Sequence, residues 1–165
     1  MSILRPAHSR QHSQLCRSVF QFICSILSVI ILAGSASITH AATLTVNAGG
    51  DLQAALNAAQ PGDTILLAAG ASFTGPFTLP AKNSAATDYI TIRTSTPDSA
   101  LPNASTRISP ADSALLPKLL SPGNGMPALQ TAAGAHHYRL IGLEIRTVDA
   151  NSVVSDLIKL GDSSS

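Results

Sequence analysis

Apolar positions along the chain change their period several times, and each change predicts an element. Residues 43–46 alternate and read as a short strand. Leu52, Ala55, Leu56 and Ala59 then fall at i, i+3, i+4 and i+7, one apolar helical stripe. Asp51 stands at its N-cap position, and Gln60-Pro61-Gly62 stops it, because proline cannot continue a helix. The stripe is short and alanine-rich, so this helix needs a surface to lie on. After the stop the period becomes two. Ile65 and Leu67 alternate, Gly70 punctuates, and Phe73, Phe77 and Leu79 continue the apolar set. Residues 89–93 form a clean strand pattern with Ile90 and Ile92 on one face. Residues 94–127 hold Pro97, Pro102, Pro110, Pro117, Pro122 and Pro127, which predicts a long loop with a short helical turn near 110–116. Residues 128–131 suggest another strand, and Gly134 a turn.

The stretch 137–145 is the most informative. Tyr138 and Leu140 share one parity, Leu143 and Ile145 the other. A straight strand cannot set all four on one side, whereas a bend at Ile141-Gly142 does. Residues 157–161 repeat part of this pattern 17 positions beyond Ile141, at Ile158. Strand-plus-glycine units at such spacing are a repeat signal. Short strands, corner glycines and one leading helix fit an all-β parallel solenoid whose first turn the helix covers. A small antiparallel sandwich is the rival; it needs neither the parity slip nor the leading helix.

The first forty residues are read as an address. Arg5, Arg10 and Arg17 precede an uncharged apolar run at 19–33, and small residues follow at 34–37. That is the layout of a secretory signal peptide over residues 1–41, with cleavage between Ala41 and Ala42 and Ala36 as second choice. The run has 15 residues, short of the roughly 20 that span a bilayer. The predicted location is secreted, periplasmic or cell-envelope, with no membrane association after cleavage. Both cysteines, Cys16 and Cys24, fall inside the leader, so residues 42–165 have neither disulfide nor thiolate. Charge divides likewise. Beyond the leader, 7 of the 10 cationic residues face all 9 acidic ones, which argues against nucleic-acid binding.

The block 52–70, with its helix, Pro61-Gly62-Asp63-Thr64 turn, apolar strand and glycine, resembles the opening of secreted right-handed parallel β-helix proteins. These are the pectate-lyase-like superfamily, including the chondroitinase B and alginate lyase type of polysaccharide lyases. Residues 89–93 and 138–145 are similar to strands of the same proteins. The resemblance implies a right-handed parallel β-helix with an N-terminal capping helix. Residues 42–165 would hold the cap and first turns, with the Pro-rich loop at 94–127. Such proteins carry catalytic groups and calcium ligands on later turns. The resemblance therefore implies an N-terminal portion of a longer protein, incomplete at its C-terminus and inactive by itself, that acts on acidic polysaccharide.

The residues themselves designate no catalytic, cofactor-binding or metal site. His136 and His137 are adjacent, and strand alternation would point them to opposite faces. Glu144, Asp149, Asp156 and Asp162 are too scattered for a calcium shell of six or more oxygens, so calcium would belong to a longer parent protein. A β-elimination needs a base and a cation over a uronate. Arg93, Arg139, Arg146 and Lys159 are candidates by type, with Arg139 and Lys159 expected outward on strands. Non-catalytic alternatives are an adhesin-like or glycan-binding solenoid, or a fragment without its own function. Aromatics, at 4% of the chain, are few for sugar stacking. Oligomeric state is not legible.

Overall fold

The computed structural model describes residues 41–82, 87–103 and 105–161, all within one compact unit. Residues 1–40 of the expected leader, and Asp162, lie outside the described residues. The molecule is mostly β, with parallel sheets and few helices. Strands β1 (Thr43–Val46), β2 (Thr64–Leu67), β5 (Ile90–Thr94) and β8 (Tyr138–Ile141) form one sheet in that order. A second sheet holds β3 (Ser72–Thr74), β6 (Lys118–Ser121) and β9 (Glu144–Thr147). The third holds β4 (Phe77–Leu79), β7 (Leu129–Thr131) and β10 (Ile158–Lys159). From β2 onward the chain visits first, second and third sheet in the same order three times. Every pairing between these strands is parallel.

Register places like on like. In the first sheet Leu44, Ile65, Ile92 and Leu140 stack in one inward row. Phe73, Leu119 and Ile145 stack in the second, and Phe77, Leu129 and Ile158 in the third. The buried members of these rows meet in one core with Leu52 and Leu56. Burying each large aliphatic or aromatic side chain contributes about 1.5–3 kcal/mol before chain entropy is counted. At β8, β9 and β10 the stacks end among the described residues, leaving Leu140, Val148, Val153, Ile158 and Leu160 exposed.

The parity slip at 137–145 has the predicted cause. Gly142, at φ 63°, turns the chain from the first sheet to the second. Tyr138, Leu143 and Ile145 all pack on the core as a result. A methyl group on Gly142 would lie 2.9 Å from Thr94 Cγ2, so glycine is required by space as well as by φ.

Two expectations are corrected. The 17-residue recurrence is not the structural repeat: Ile141 sits beside Arg93, whereas Ile158 sits beside Leu129 in another sheet. The real steps are longer, 27 residues from Ile65 to Ile92 and 48 from Ile92 to Leu140. The Pro-rich stretch 94–127 also contains a strand, β6, as well as a 3-10 turn at Pro110–Leu115. Leu119, Leu120 and Ser121 are all buried, so β6 lacks the alternation that marks a half-buried strand. The rest of the loop is tied down by hydroxyls: Thr94 and Thr96 Oγ1 donate to the Leu115 carbonyl at 2.6 and 2.7 Å.

The helix α1 (Leu52–Ala58) starts as expected, with the Asp51 carboxylate accepting from the Ala54 amide at 2.9 Å. It packs on β4 and β1, burying Leu52, Leu56 and Ala59. β4 is an edge strand whose outer backbone groups need partners. Gln53 provides them. Its Oε1 accepts from the Thr78 amide at 2.8 Å and its Nε2 donates to the Thr78 carbonyl at 2.9 Å. One side-chain amide thus pairs with the edge as a further strand would. A Gln53→Leu substitution keeps the volume and strands both Thr78 groups. It is expected to cost about 1–3 kcal/mol, read as a lower urea midpoint of the full chain.

Tyr138 donates its hydroxyl to the Pro80 carbonyl at 2.6 Å. Burial pushes its phenol up to about 12. The neutral form is therefore favoured by folding, and this contribution is intact below the ordinary tyrosine value near 10. It is lost as pH rises from there through about 12. Phenolate absorbance should show a transition near 12 that accompanies unfolding and is absent from Tyr138→Phe.

Candidate functional site

The outward residues of the first sheet form the site. Alternation sends Ile65, Leu67, Ile90 and Ile92 to the core and leaves Thr64, Leu66, Thr91 and Arg93 on the other face. Parallel register then builds two rows across the strands. One runs Thr43, Thr64, Thr91, Arg139, and the other Thr45, Leu66, Arg93, Ile141. All of these residues except Thr45 line an open groove of about 540 Å³, walled by Ser95, Thr96, Pro97 and Asp98. Strand spacing of about 4.8 Å and rise of about 3.3 Å per residue set Arg93 and Arg139 roughly 8 Å apart at the backbone.

The two arginines differ in availability. Arg93 is mostly covered and pairs with Asp98. The hydrogen bond from Arg93, and then its charge, hold the Asp98 carboxyl below the usual aspartate range. Arg139 is exposed and has no carboxylate partner among the described residues. Its guanidinium carbon sits 4.7 Å from the Tyr89 ring centroid, a cation–π contact. The ring thus steadies an otherwise exposed side chain.

Beside this pair the imidazoles gather. The rings of Tyr89 and His137 are 5.2 Å apart. His136 and His137 meet edge-on, with Nδ1 atoms 2.6 Å apart. The expectation that they point to opposite faces is corrected: His137 lies before β8 at φ 59°, outside extended geometry. One proton serves that contact, so one ring donates and the other accepts.

The remaining candidates lie elsewhere. Arg146 is on the second sheet, 3.5 Å from Glu144, and Lys159 is exposed on the third. Lys118 also faces Glu144, at 3.7 Å. Asp149 turns its carboxylate onto its own loop, accepting from the Asn151 amide and Ser152 hydroxyl at 2.9 Å. Those bonds hold it below the usual aspartate range, the Ser152 hydroxyl most of all. Among the described residues no three His, Cys, Asp or Glu side chains gather as metal ligands. The threonine row escaped sequence reading, although its signal is visible: Thr43-Leu44, Thr64-Ile65 and Thr91-Ile92 repeat one hydroxyl–aliphatic step, and Arg139-Leu140 takes the same place.

The class so defined is a mostly β protein of parallel sheets with a hydroxyl- and guanidinium-lined outer groove. Hydroxyls and a free guanidinium can bind oxyanions and sugar hydroxyls. No family model matches the chain, and no curated protein matches it. Among solved structures it is distantly similar to an alginate lyase from Paenibacillus sp. str. FPU-7, at 27% identity and a TM-score of 0.44. The match covers 62% of this chain and spans 28% of that one.

The Arg93–Asp98 pair masks half of the groove's charge. Asp98→Asn should therefore hold the protein on a polyanionic resin to higher salt than Asp149→Asn, which removes the same charge away from the groove. Equal elution would show that Arg93 is already free.

Proposed function

We propose that this chain is the N-terminal part of an exported right-handed parallel β-helix protein that acts on acidic polysaccharide. On this reading residues 1–41 are a cleaved signal peptide. The three-sheet circuit, α1 over β4, and the resemblance of the 61–64 turn to lyase openings support the architecture. The observation that carries the function is Arg139, exposed and ordered over Tyr89, at the end of a threonine row on the groove floor. A uronate carboxylate fits the guanidinium, and the ring hydroxyls fit the threonines.

The groove offers recognition without chemistry. Its one lining carboxylate, Asp98, is engaged by Arg93, and the nearest imidazoles, His136 and His137, turn their Nδ1 atoms to each other, so on this reading the groove recognises polymer and the proton α to a uronate is removed elsewhere. The chain therefore holds polymer, and cleavage belongs to further turns of a parent protein. A purely binding, adhesin-like solenoid shares this groove and differs in having no lyase chemistry in its parent.

Calorimetric titration with polyuronate oligomers tests the reading. Binding should weaken with salt and fall about tenfold in Arg139→Ala, as expected for loss of a charge-assisted pair. Unsaturated product, read by near-ultraviolet absorbance, should not form. Binding untouched by Arg139→Ala would refute the groove.

A further inference from the structure

The Pro61-Gly62-Asp63-Thr64 turn buries a carboxylate: Asp63 is only 6% exposed. Its Oδ2 accepts from the Gln60 amide at 2.7 Å, closing the end of α1. Its Oδ1 accepts from the nitrogen of Ala42, also at 2.7 Å, 21 residues earlier in the chain. That nitrogen is the one released if the leader is cut after Ala41. Ala42 itself is exposed, and its carbonyl accepts from the Thr64 amide at 2.9 Å, so the residue is held on both sides of the turn.

We propose that processing after Ala41 converts this amide contact into an ion pair between the new α-ammonium of Ala42 and Asp63, which locks the first strand to the turn after α1. The inference rests on the export reading above. The step is a hydrolysis. Water adds to the Ala41 carbonyl, the Ala41–Ala42 C–N bond breaks, Ala41 leaves as a carboxylate, and the freed amine takes up a proton. One N–H donor becomes three on a full positive charge, facing an acceptor already at the distance charge-assisted bonds adopt. Cleavage at the alternative site after Ala36 would leave Ala42 an amide, and Asp63 would keep the present hydrogen bond without the ion pair.

Other charges near the carboxylate are few. Lys82 feels Asp63, but its Nζ is held by the Asn57 carbonyl at 2.8 Å. Burial lowers the Lys82 pKa, and attraction to Asp63 offsets part of that. Asp88 lies across from Gly62, its Cβ 4.0 Å from where a methyl there would stand. Asp51, at the other end of α1, is spent on the Ala54 amide.

An ammonium paired with a carboxylate keeps its proton above the ordinary α-amino range of about 7.7–8.0. Its stabilising effect is present in full below that range and is lost as pH rises through the raised value. The full chain, expressed with its own leader in an exporting host, is purified and its N-terminus read by mass spectrometry. The α-amine is then labelled with an acylating reagent across pH 6–11. We expect Ala42 as first residue, labelling at pH 8 about fivefold or more slower than in Asp63→Asn, and a midpoint shifted up by at least about one pH unit in the unaltered protein. The midpoint across pH, and not the rate at one pH, separates protonation from shielding, because shielding slows labelling at every pH without moving the midpoint. Should Asp63→Asn fail to fold, the midpoint in the unaltered protein decides alone. Cleavage after Ala41 with an ordinary midpoint overturns the ion pair only. A different first residue overturns it by position. An unprocessed chain removes the export reading as well.

Discussion

Parallel register is the constraint on which the rest depends. Each strand pairs with its equivalent from another circuit of the chain, so an inward side chain must sit on an inward side chain. Ile65 on Ile92, Leu119 on Ile145 and Leu129 on Ile158 are instances of one rule. The same rule acts on the outer face without any core to enforce it. Thr43, Thr64 and Thr91 line up because Leu44, Ile65 and Ile92 do, and Arg139 follows because Leu140 does. A groove lined by hydroxyls and guanidinium groups is thus a by-product of how the interior stacks.

The ends of the sheets carry the cost of this design. Stacked strands leave backbone donors and acceptors open at each terminus. At the start the problem is solved by α1, which covers the core with Leu52 and Leu56 and lends the Gln53 amide to β4. Asp63 ties the end of that helix to the chain entering β1. Helix, turn and first strand thereby act as one closure, and the same carboxylate that shapes the turn is the group that would meet a newly made N-terminus. At β8, β9 and β10 the described residues show no equivalent cover, and apolar side chains are exposed there.

The groove and the closure illustrate two uses of charge. Asp63 is buried and spent on backbone nitrogens, where a charged acceptor is worth most. Asp98 is at the surface and spent on Arg93, which removes charge from the groove and leaves its polarity. Arg139 is steadied by an aromatic face in place of a carboxylate, so its order does not consume the charge that a ligand would read.

Several features were legible because they follow from local chemistry. The helix, its Asp51 cap, its proline stop, the strands at 43–46 and 89–93, and the glycine corner at 142 depend on neighbours within a few residues, where periodicity, capping and φ preferences act. Strand β6 was hidden because it is covered on both faces and flanked by prolines, which erases alternation. The 17-residue recurrence misled because similar apolar triplets occur in different sheets, and only pairing partners tell them apart. The meeting of His136 with His137 turned on one positive φ that the sequence does not announce. Arg139 over Tyr89, Arg93 on Asp98 and Asp63 on Ala42 join residues separated by 50, 5 and 21 positions. Sequence alone determined which stretches could be strand, helix or turn, since those choices are energetic at short range. Which strands became neighbours, and hence which side chains share a groove, was decided by tertiary register, because burying the stacked rows together stabilises one arrangement over its shifted rivals.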